Sequence, residues 1–389
     1  MKNRSSIKLY LGVLPLVLFA VAFLASCKKD DEMGGSPVIQ SVYVLDTVAR
    51  HRDSLIVGAE PFTLLVINGS NMSGIQKAYF NEYEATFNTV YNTSTKLIIR
   101  VPSDAPTDET ASNQIRLVTA RGEATYTFRI IAKPTVSAAD KFIFGAGRGD
   151  ITITGKNFKD MVQVVAFRER NTPAEVVKDS VVCEIISKTE DKLVVRIPEN
   201  TLSRVTLAYT NTSGTTMGTN VFINADQAYQ FFTEDFGTVV DGINNREAKW
   251  SAEAWDTPFT VSSDEAYSGQ NSLSISLGAQ GWKWFGISSY WAMFRYDPAY
   301  KYVVFAIKGG ENAVPLWLST TATTDGGQGG FPAKNRIEVP ANAWTFYRLA
   351  IADLDYLYDA TKDITHIGFR TQGPEKPAKF YIDDFMLVK

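Results

Sequence analysis

From residue 37 on, apolar positions come in short runs rich in Val, Ile, Thr and Tyr, and each run ends in Gly, Asn, Asp or Pro. Lys96-Leu97-Ile98-Ile99-Arg100-Val101-Pro102 is one such run; Lys192-Leu193-Val194-Val195-Arg196-Ile197-Pro198 is another. Short β-branched runs between turn residues are the pattern of strands, and a helix needs apolar residues recurring every three to four positions. No stretch beyond the N-terminal segment keeps that helical period. The pattern predicts an all-β chain, and 389 residues are enough for two or three domains.

Part of the pattern repeats. Ile67-Asn68-Gly69-Ser70-Asn71-Met72 returns 86 positions later as Ile153-Thr154-Gly155-Lys156-Asn157-Phe158. The Lys96 to Pro102 run returns 96 positions later, so the second copy carries about ten extra residues, placed around Arg168 to Val177. The Gly-x-Asn element is expected to let the backbone turn with positive φ. The proline after each apolar run ends the ladder, because it has no N–H. The pair of motifs resembles the IPT/TIG domain, an immunoglobulin-like sandwich; Met72 departs from its usual phenylalanine. The resemblance covers roughly residues 37–226 and implies two sandwiches, 37–133 and 134–226, acting as spacers or protein contacts. Pro134 opens the second copy, and the restricted X-Pro junction makes a semi-rigid stalk the expectation.

The N-terminus has its own pattern. Lys2, Arg4 and Lys8 precede an apolar stretch from Leu9 to Ala25, then Leu24-Ala25-Ser26-Cys27. A basic start, an apolar core and small residues before a cleavage point describe a secretory signal peptide, residues 1–26. The cysteine that follows resembles the bacterial lipobox, which implies lipidation of Cys27. The alternative is a transmembrane anchor, for which the stretch is at the short limit. Lys28-Lys29-Asp30-Asp31-Glu32 resembles the export signal of surface lipoproteins in the Bacteroidota, within a tether of residues 27–36. Cys183 is then the one remaining cysteine, set in an apolar run, and is expected to be a small core residue with no disulfide partner.

Composition adds most at the other end. All seven tryptophans lie after residue 226. Residues 227–389 are too many for another immunoglobulin-like copy and suit a jelly-roll sandwich. Indole rings offer a flat apolar face that fits the C–H face of a sugar, although about half of such rings are expected to be core, since Trp is highly buried on average. Strand alternation sorts them. In Trp282-Lys283-Trp284-Phe285-Gly286-Ile287 the two tryptophans share one face and Phe285 and Ile287 the other; Leu316 and Leu318 leave Trp317 outward; Ile367 and Phe369 leave Arg370 and Gln372 outward. Trp282, Trp284, Trp317, Arg370 and Gln372 are therefore the expected glycan platform, with Trp291 at its edge. The bland alternative packs Trp282 or Trp317 under a long loop. Trp344 is expected to be structural, Trp250 and Trp255 fit either role, and the Gly-rich Thr324 to Pro332 segment is expected to border the groove.

The last domain also carries Glu234-Asp235-Phe236, Ala266-Tyr267-Ser268-Gly269 with Ser272-Leu273, Lys308-Gly309-Gly310, Trp344 with Tyr347, and Tyr381-Ile382-Asp383-Asp384-Phe385. That order resembles β-sandwich carbohydrate-binding modules. The whole arrangement is similar to the B-type surface glycan-binding lipoproteins of the Bacteroidota. The resemblance implies a TonB-dependent outer-membrane transporter and a companion glycan-binding lipoprotein as partners. It also implies a structural calcium held by Glu234, Asp235 and Asp384, for which oxygen ligands are suited.

Charge and residue inventory narrow the classes. Removing residues 1–26, which hold three basic and no acidic side chains, takes the formal charge from -3 to -6. There is no basic run for nucleic acid, and an acidic surface favours a neutral ligand such as a β-glucan or xyloglucan over an anionic one. Adjacent Asp383 and Asp384 on one strand are expected to point to opposite faces, unlike the facing carboxylates of a glycosidase. His51 and His366 have no cysteine cluster near them in sequence, and no Gly-x-Ser-x-Gly elbow is present. The function that follows is non-catalytic capture of a polysaccharide at the cell surface. A protein-binding adhesin and a glycoside hydrolase or lyase carried on spacers are the alternatives.

Overall fold

The computed structural model describes residues 35–45, 55–107, 110–240, 247–254, 259–279, 281–289, 294–320, 331–355, 364–372 and 377–389. The signal segment, Cys27, Trp255 and Trp291 fall outside them. The described elements are strands joined by turns and short 3-10 segments, so the chain is all-β, as the apolar runs predict.

The chain divides after Ala132 into two compact units. The first is a sandwich. One sheet orders Val38–Val44, Leu64–Ser70 and Lys96–Arg100; the other orders Tyr83–Ala85, Ile75–Phe80, Gln114–Thr119 and Gly122–Thr127. Their inward positions, among them Leu65, Ile67, Phe80, Leu97, Ile99 and Leu117, form one core.

The second unit, Lys133–Lys389, holds the second copy and the terminal sandwich together. In the second copy the Ser180–Lys188 strand joins both sheets. Its first half, Ser180 to Cys183, pairs with Met161–Arg168, and its second half, Glu184 to Lys188, pairs with Lys192–Arg196. Cys183 lies buried at that crossing, as expected, and burial pushes its thiol pKa up to about 12.

The repeated motif works differently from the turn the sequence predicts. Gly69 and Gly155 do not have positive φ; Asn71 and Asn157 do, at 56° and 64°. The glycines are needed for close approach. A Cβ on Gly69 would lie 1.9 Å from the Val38 carbonyl oxygen, and one on Gly155 the same 1.9 Å from that of Thr135. Below them Met72 and Phe158 fill the same place in their respective cores. The bulkier phenylalanine and the methionine thus do one packing job.

The terminal sandwich has two antiparallel sheets. The back sheet orders Phe259–Ser262, Ser272–Leu277, Ala378–Val388, Tyr302–Lys308 and Trp344–Ala350, with Tyr229–Phe232 also on the long last strand. The front sheet orders Ser251–Ala254, Lys283–Ser288, His366–Thr371, Val314–Thr320 and Arg336–Val339. Phe369 from the front meets Phe305 and Phe385 from the back, with ring centroids 5.0 and 5.7 Å apart, and Phe285 stacks on Phe380 of the back sheet at 6.4 Å. Trp250 is core too, its indole N–H donating to the Tyr229 hydroxyl at 3.0 Å.

The outer face of the back sheet is covered. Val304, Met386 and Val388 pack with Ile143, Ile223 and Ala225 of the second copy. The Phe142 N–H donates to the Tyr267 hydroxyl at 3.0 Å. Glu169, at the start of the segment that the first copy lacks, accepts from Arg348 at 2.7 Å and from Arg204, and both guanidinium groups lie 4.7 Å from the Tyr302 ring. The ten-residue difference between the copies therefore supplies one of the contacts that seats the second copy on the terminal sandwich.

Candidate functional site

With its back sheet covered by the second copy, the terminal sandwich presents its front sheet outward. Inward positions of that sheet are the apolar ones: Phe285, Ile287, Leu316, Leu318, Ile337, Ile367 and Phe369. The alternate positions form rows across the strands. Trp284 stands opposite Arg370, Arg370 opposite Trp317, and Trp317 opposite Arg336. One row thus runs Trp–Arg–Trp–Arg. The next row runs Glu253, Gly286, Gly368 and Ser319.

The sequence-predicted residues are brought together, but in different roles. Trp317 is half-buried, edge-on to Phe331 with centroids 4.9 Å apart, and the Arg336 guanidinium lies 5.7 Å from its ring. Phe331 places the end of the Gly-rich segment at the front sheet; residues 321–330 lie outside the described residues. Trp282 is 37% exposed, just ahead of its strand, with the Arg370 guanidinium 5.5 Å from its ring. Gln372 is exposed at the end of the Arg370 strand.

Trp284 is not an exposed platform. It is on the predicted face, yet only 5% of it is accessible. Gly286 and Gly368 face each other so closely that a Cβ on either would meet backbone at 2.4 or 2.3 Å, and a Cβ on Gly286 would also touch the Trp284 ring at 2.9 Å. The two glycines open a trough, and the indole lies down in it. Its N–H donates to the Ser319 hydroxyl at 3.1 Å, and its ring meets His366 edge-on at 5.7 Å. Alternation selects a face; it does not say whether a ring stands up or lies flat.

Arg370 is also deeper than expected, at 1% exposed. Among the described residues its Nε and Nη1 have no hydrogen-bond partner. Burial pushes its pKa down from the usual arginine value. Among the described residues, no carboxylate on this face pairs with Arg370. Glu253 stands 3.1 Å from His366 Nε2, and Glu338 pairs with Arg336. The sequence reads Ser319 as outward with Trp317 and assigns none of His366, Glu253 and Arg336 to the platform, although alternation along the Arg370 strand puts His366 on the same face.

The acidic residues proposed for calcium do not make an oxygen cage. Glu234 and Asp384 do converge, but around a guanidinium: Arg148 Nη1 lies 2.8 Å from Glu234 and 3.2 Å from Asp384. Asp235 pairs instead with Lys249 at 2.7 Å, at the surface. This donor set carries its own positive charge, so it does not fit a cation. Asp383 and Asp384 also depart from the expected opposite faces. Phe380 and Ile382 point inward, and then so do Phe385 and Leu387, so the strand gains a residue between them. Asp384 has φ 49°, and both carboxylates reach Ser268, Asp383 through the backbone N–H and Asp384 through the hydroxyl. They lie on the back sheet, away from the tryptophan row. Trp344 is half-buried beside Tyr267 and Tyr381, in keeping with a structural role.

No family model matches the chain. An IPT/TIG domain-containing protein of Bacteroides ovatus is 31% identical over 166 residues, 41% of this chain; the chain spans 32% of that relative's length. Among solved structures, the surface glycan-binding protein of Prevotella bryantii matches over 91% of this chain and 99% of its own, with TM-score 0.52 and 16% identity. SGBP-B from a complex xyloglucan utilization locus in Bacteroides uniformis matches over 91% and 99%, at 17% identity, with TM-score 0.38. The chain is thus similar in part to an IPT/TIG domain-containing protein and has, over nearly its whole length, the all-β fold of a surface glycan-binding protein.

Proposed function

We propose that the protein is a non-catalytic surface lipoprotein that captures a polysaccharide on the front sheet of its terminal sandwich. The observation that carries this reading is the asymmetry of that sandwich. The back sheet is covered by the second copy, whereas the front sheet presents Trp282 and Trp317 around Arg370. Aromatic faces with a few planar donors are what a sugar chain requires. Hydrolysis would need two free carboxylates flanking one bond. Among the described residues of this face, Glu338 is paired with Arg336, and Glu253 stands 3.1 Å from the His366 ring rather than facing a second free carboxylate.

In this reading Cys27 carries the lipid, the protein sits on the outer membrane facing out, and captured glycan passes to a TonB-dependent transporter beside a companion glycan-binding lipoprotein. The similarity to a surface glycan-binding protein in fold supports capture as the role.

Calorimetric titration against neutral and acidic polysaccharides tests it, with Trp317→Ala alongside. Binding to one glycan class, weakened in the variant, with no new reducing ends after prolonged incubation, is the expected result. New reducing ends would establish an enzyme instead. Absence of binding to any glycan would remove the reading and leave a protein-binding adhesin.

A further inference from the structure

We propose that Arg370 receives a carboxylate of the captured polysaccharide, so that the ligand class is a uronate-bearing glycan. This rests on the glycan-capture reading and names the chemistry of its ligand.

Arg370 sits at the centre of the front sheet, between Trp284 and Trp317 in the row and against the ring of Trp282. It is 1% exposed, and among the described residues neither Nε nor Nη1 finds an acceptor. Among the described residues no carboxylate pairs with it, since Glu253 faces His366 and Glu338 holds Arg336. A guanidinium remains charged in a protein, and a buried charge without a partner is costly. Packing alone would be served better by an apolar side chain of similar volume.

The missing partner has to supply acceptors and a negative charge together. A sugar hydroxyl satisfies an N–H and leaves the charge uncompensated. A carboxylate satisfies both, and its two oxygens match the planar guanidinium fork. The surrounding indole rings exclude water, which strengthens that pairing. The acidic balance of the chain as a whole is no obstacle, because exposed charges beyond about 8–10 Å are screened at ordinary salt. The neutral ligand expected from net charge alone therefore gives way to one chosen by the local charge.

The test titrates the protein with polygalacturonate and glucuronoxylan, each beside its carboxyl-reduced form, and with a mixed-linkage β-glucan and a xyloglucan. Binding to an acidic glycan is expected to weaken at least about tenfold on carboxyl reduction, the size of one charged hydrogen-bonding contact. Arg370→Gln is expected to bind the native and reduced forms alike, with its fold checked by thermal unfolding. The ligand-side comparison stands even where that variant is unstable. Equal affinity for native and reduced forms, or tight binding to a neutral glycan, overturns the carboxylate and leaves glycan capture standing. No binding to any of the six overturns both.

Discussion

Arg148 of the second immunoglobulin-like copy reaches the last strand of the terminal sandwich and stands 3.2 Å from the Asp384 carboxylate, with 4% and 0% of the two side chains exposed. The same guanidinium bonds Glu234 at 2.8 Å and the Ser268 hydroxyl at 3.3 Å. Removing one partner of a buried pair leaves the other charge uncompensated. Arg148→Met is therefore expected to destabilise the second unit by about 3–5 kcal/mol, and pairing it with Asp384→Asn, which removes the charge and tolerates the positive φ, to recover part of that loss. Denaturant unfolding checks both. A loss below about 1 kcal/mol, the value of an exposed pair, would show that the contact is not buried in solution.

The adjacent acids set a pH dependence. Burial first, and then the neighbouring Asp384, hold the Asp383 carboxyl well above the usual carboxylate range; burial raises Asp384 too, while Arg148 opposes the shift. A group with a raised folded-state pKa binds its proton more tightly in the native state. Stability from it is present below the unfolded value of about 4 and falls as pH rises toward the folded value. Asp383→Asn keeps an oxygen for the Tyr267 and Ser268 N–H groups and removes the ionisation. Its stability relative to the wild type is expected to rise as pH increases above about 4. A difference that stays flat from pH 4 upward in paired unfolding curves would contradict the shift.

The front-sheet glycines hold the shape of the platform. Gly368→Ala would push a Cβ to 2.3 Å from the Phe285 carbonyl oxygen, and overpacking of this kind costs about 1–3 kcal/mol. Gly286→Ala, whose Cβ would also lie 2.9 Å from the Trp284 ring, is expected to lift that indole from Ser319, visible as a change in tryptophan fluorescence. An unchanged spectrum and melting temperature would mean that the strands separate easily.

The tryptophans are expected to divide into two kinds on truncation. Trp317→Ala and Trp282→Ala are expected to weaken glycan binding by about 1.5–3 kcal/mol with little change in stability. Trp284→Ala is expected to cost about 3–5 kcal/mol of stability, because its ring is packed and hydrogen-bonded. Loss of binding in that variant alone would report unfolding as readily as a lost contact. Trp284→Ala unfolding at the wild-type midpoint would restore it to the exposed platform.

Cys183, with its pKa raised to about 12 and its side chain buried, is expected to resist a thiol reagent in the native protein and to react on unfolding. Rapid native labelling would place the strand crossing at the surface.

Much of this was legible along the chain, and for a local reason. Strands bury every second side chain, so Leu316 and Leu318 or Ile367 and Phe369 announce which way Trp317 and Arg370 point. Repeats keep their packing pairs, so Gly69 with Met72 and Gly155 with Phe158 could be matched before any contact was known. Such signals depend on neighbours a few residues apart, and the sequence determined the all-β class, the two copies and the outward row.

Tertiary structure decided what alternation cannot encode. Trp284 lies flat because Gly286 and Gly368, 82 positions apart, come face to face on adjoining strands. Asp383 and Asp384 share one side because an inserted residue breaks the period-two rule inside a strand that otherwise obeys it. The presumed cation of the acidic pair is Arg148, more than eighty residues upstream of Glu234. Arg370 reads as an outward donor in the sequence and becomes a buried, unpaired charge only when Trp282 and its neighbours close around it. Burial and pairing are properties of everything that surrounds a side chain, and most of those surroundings are distant in sequence.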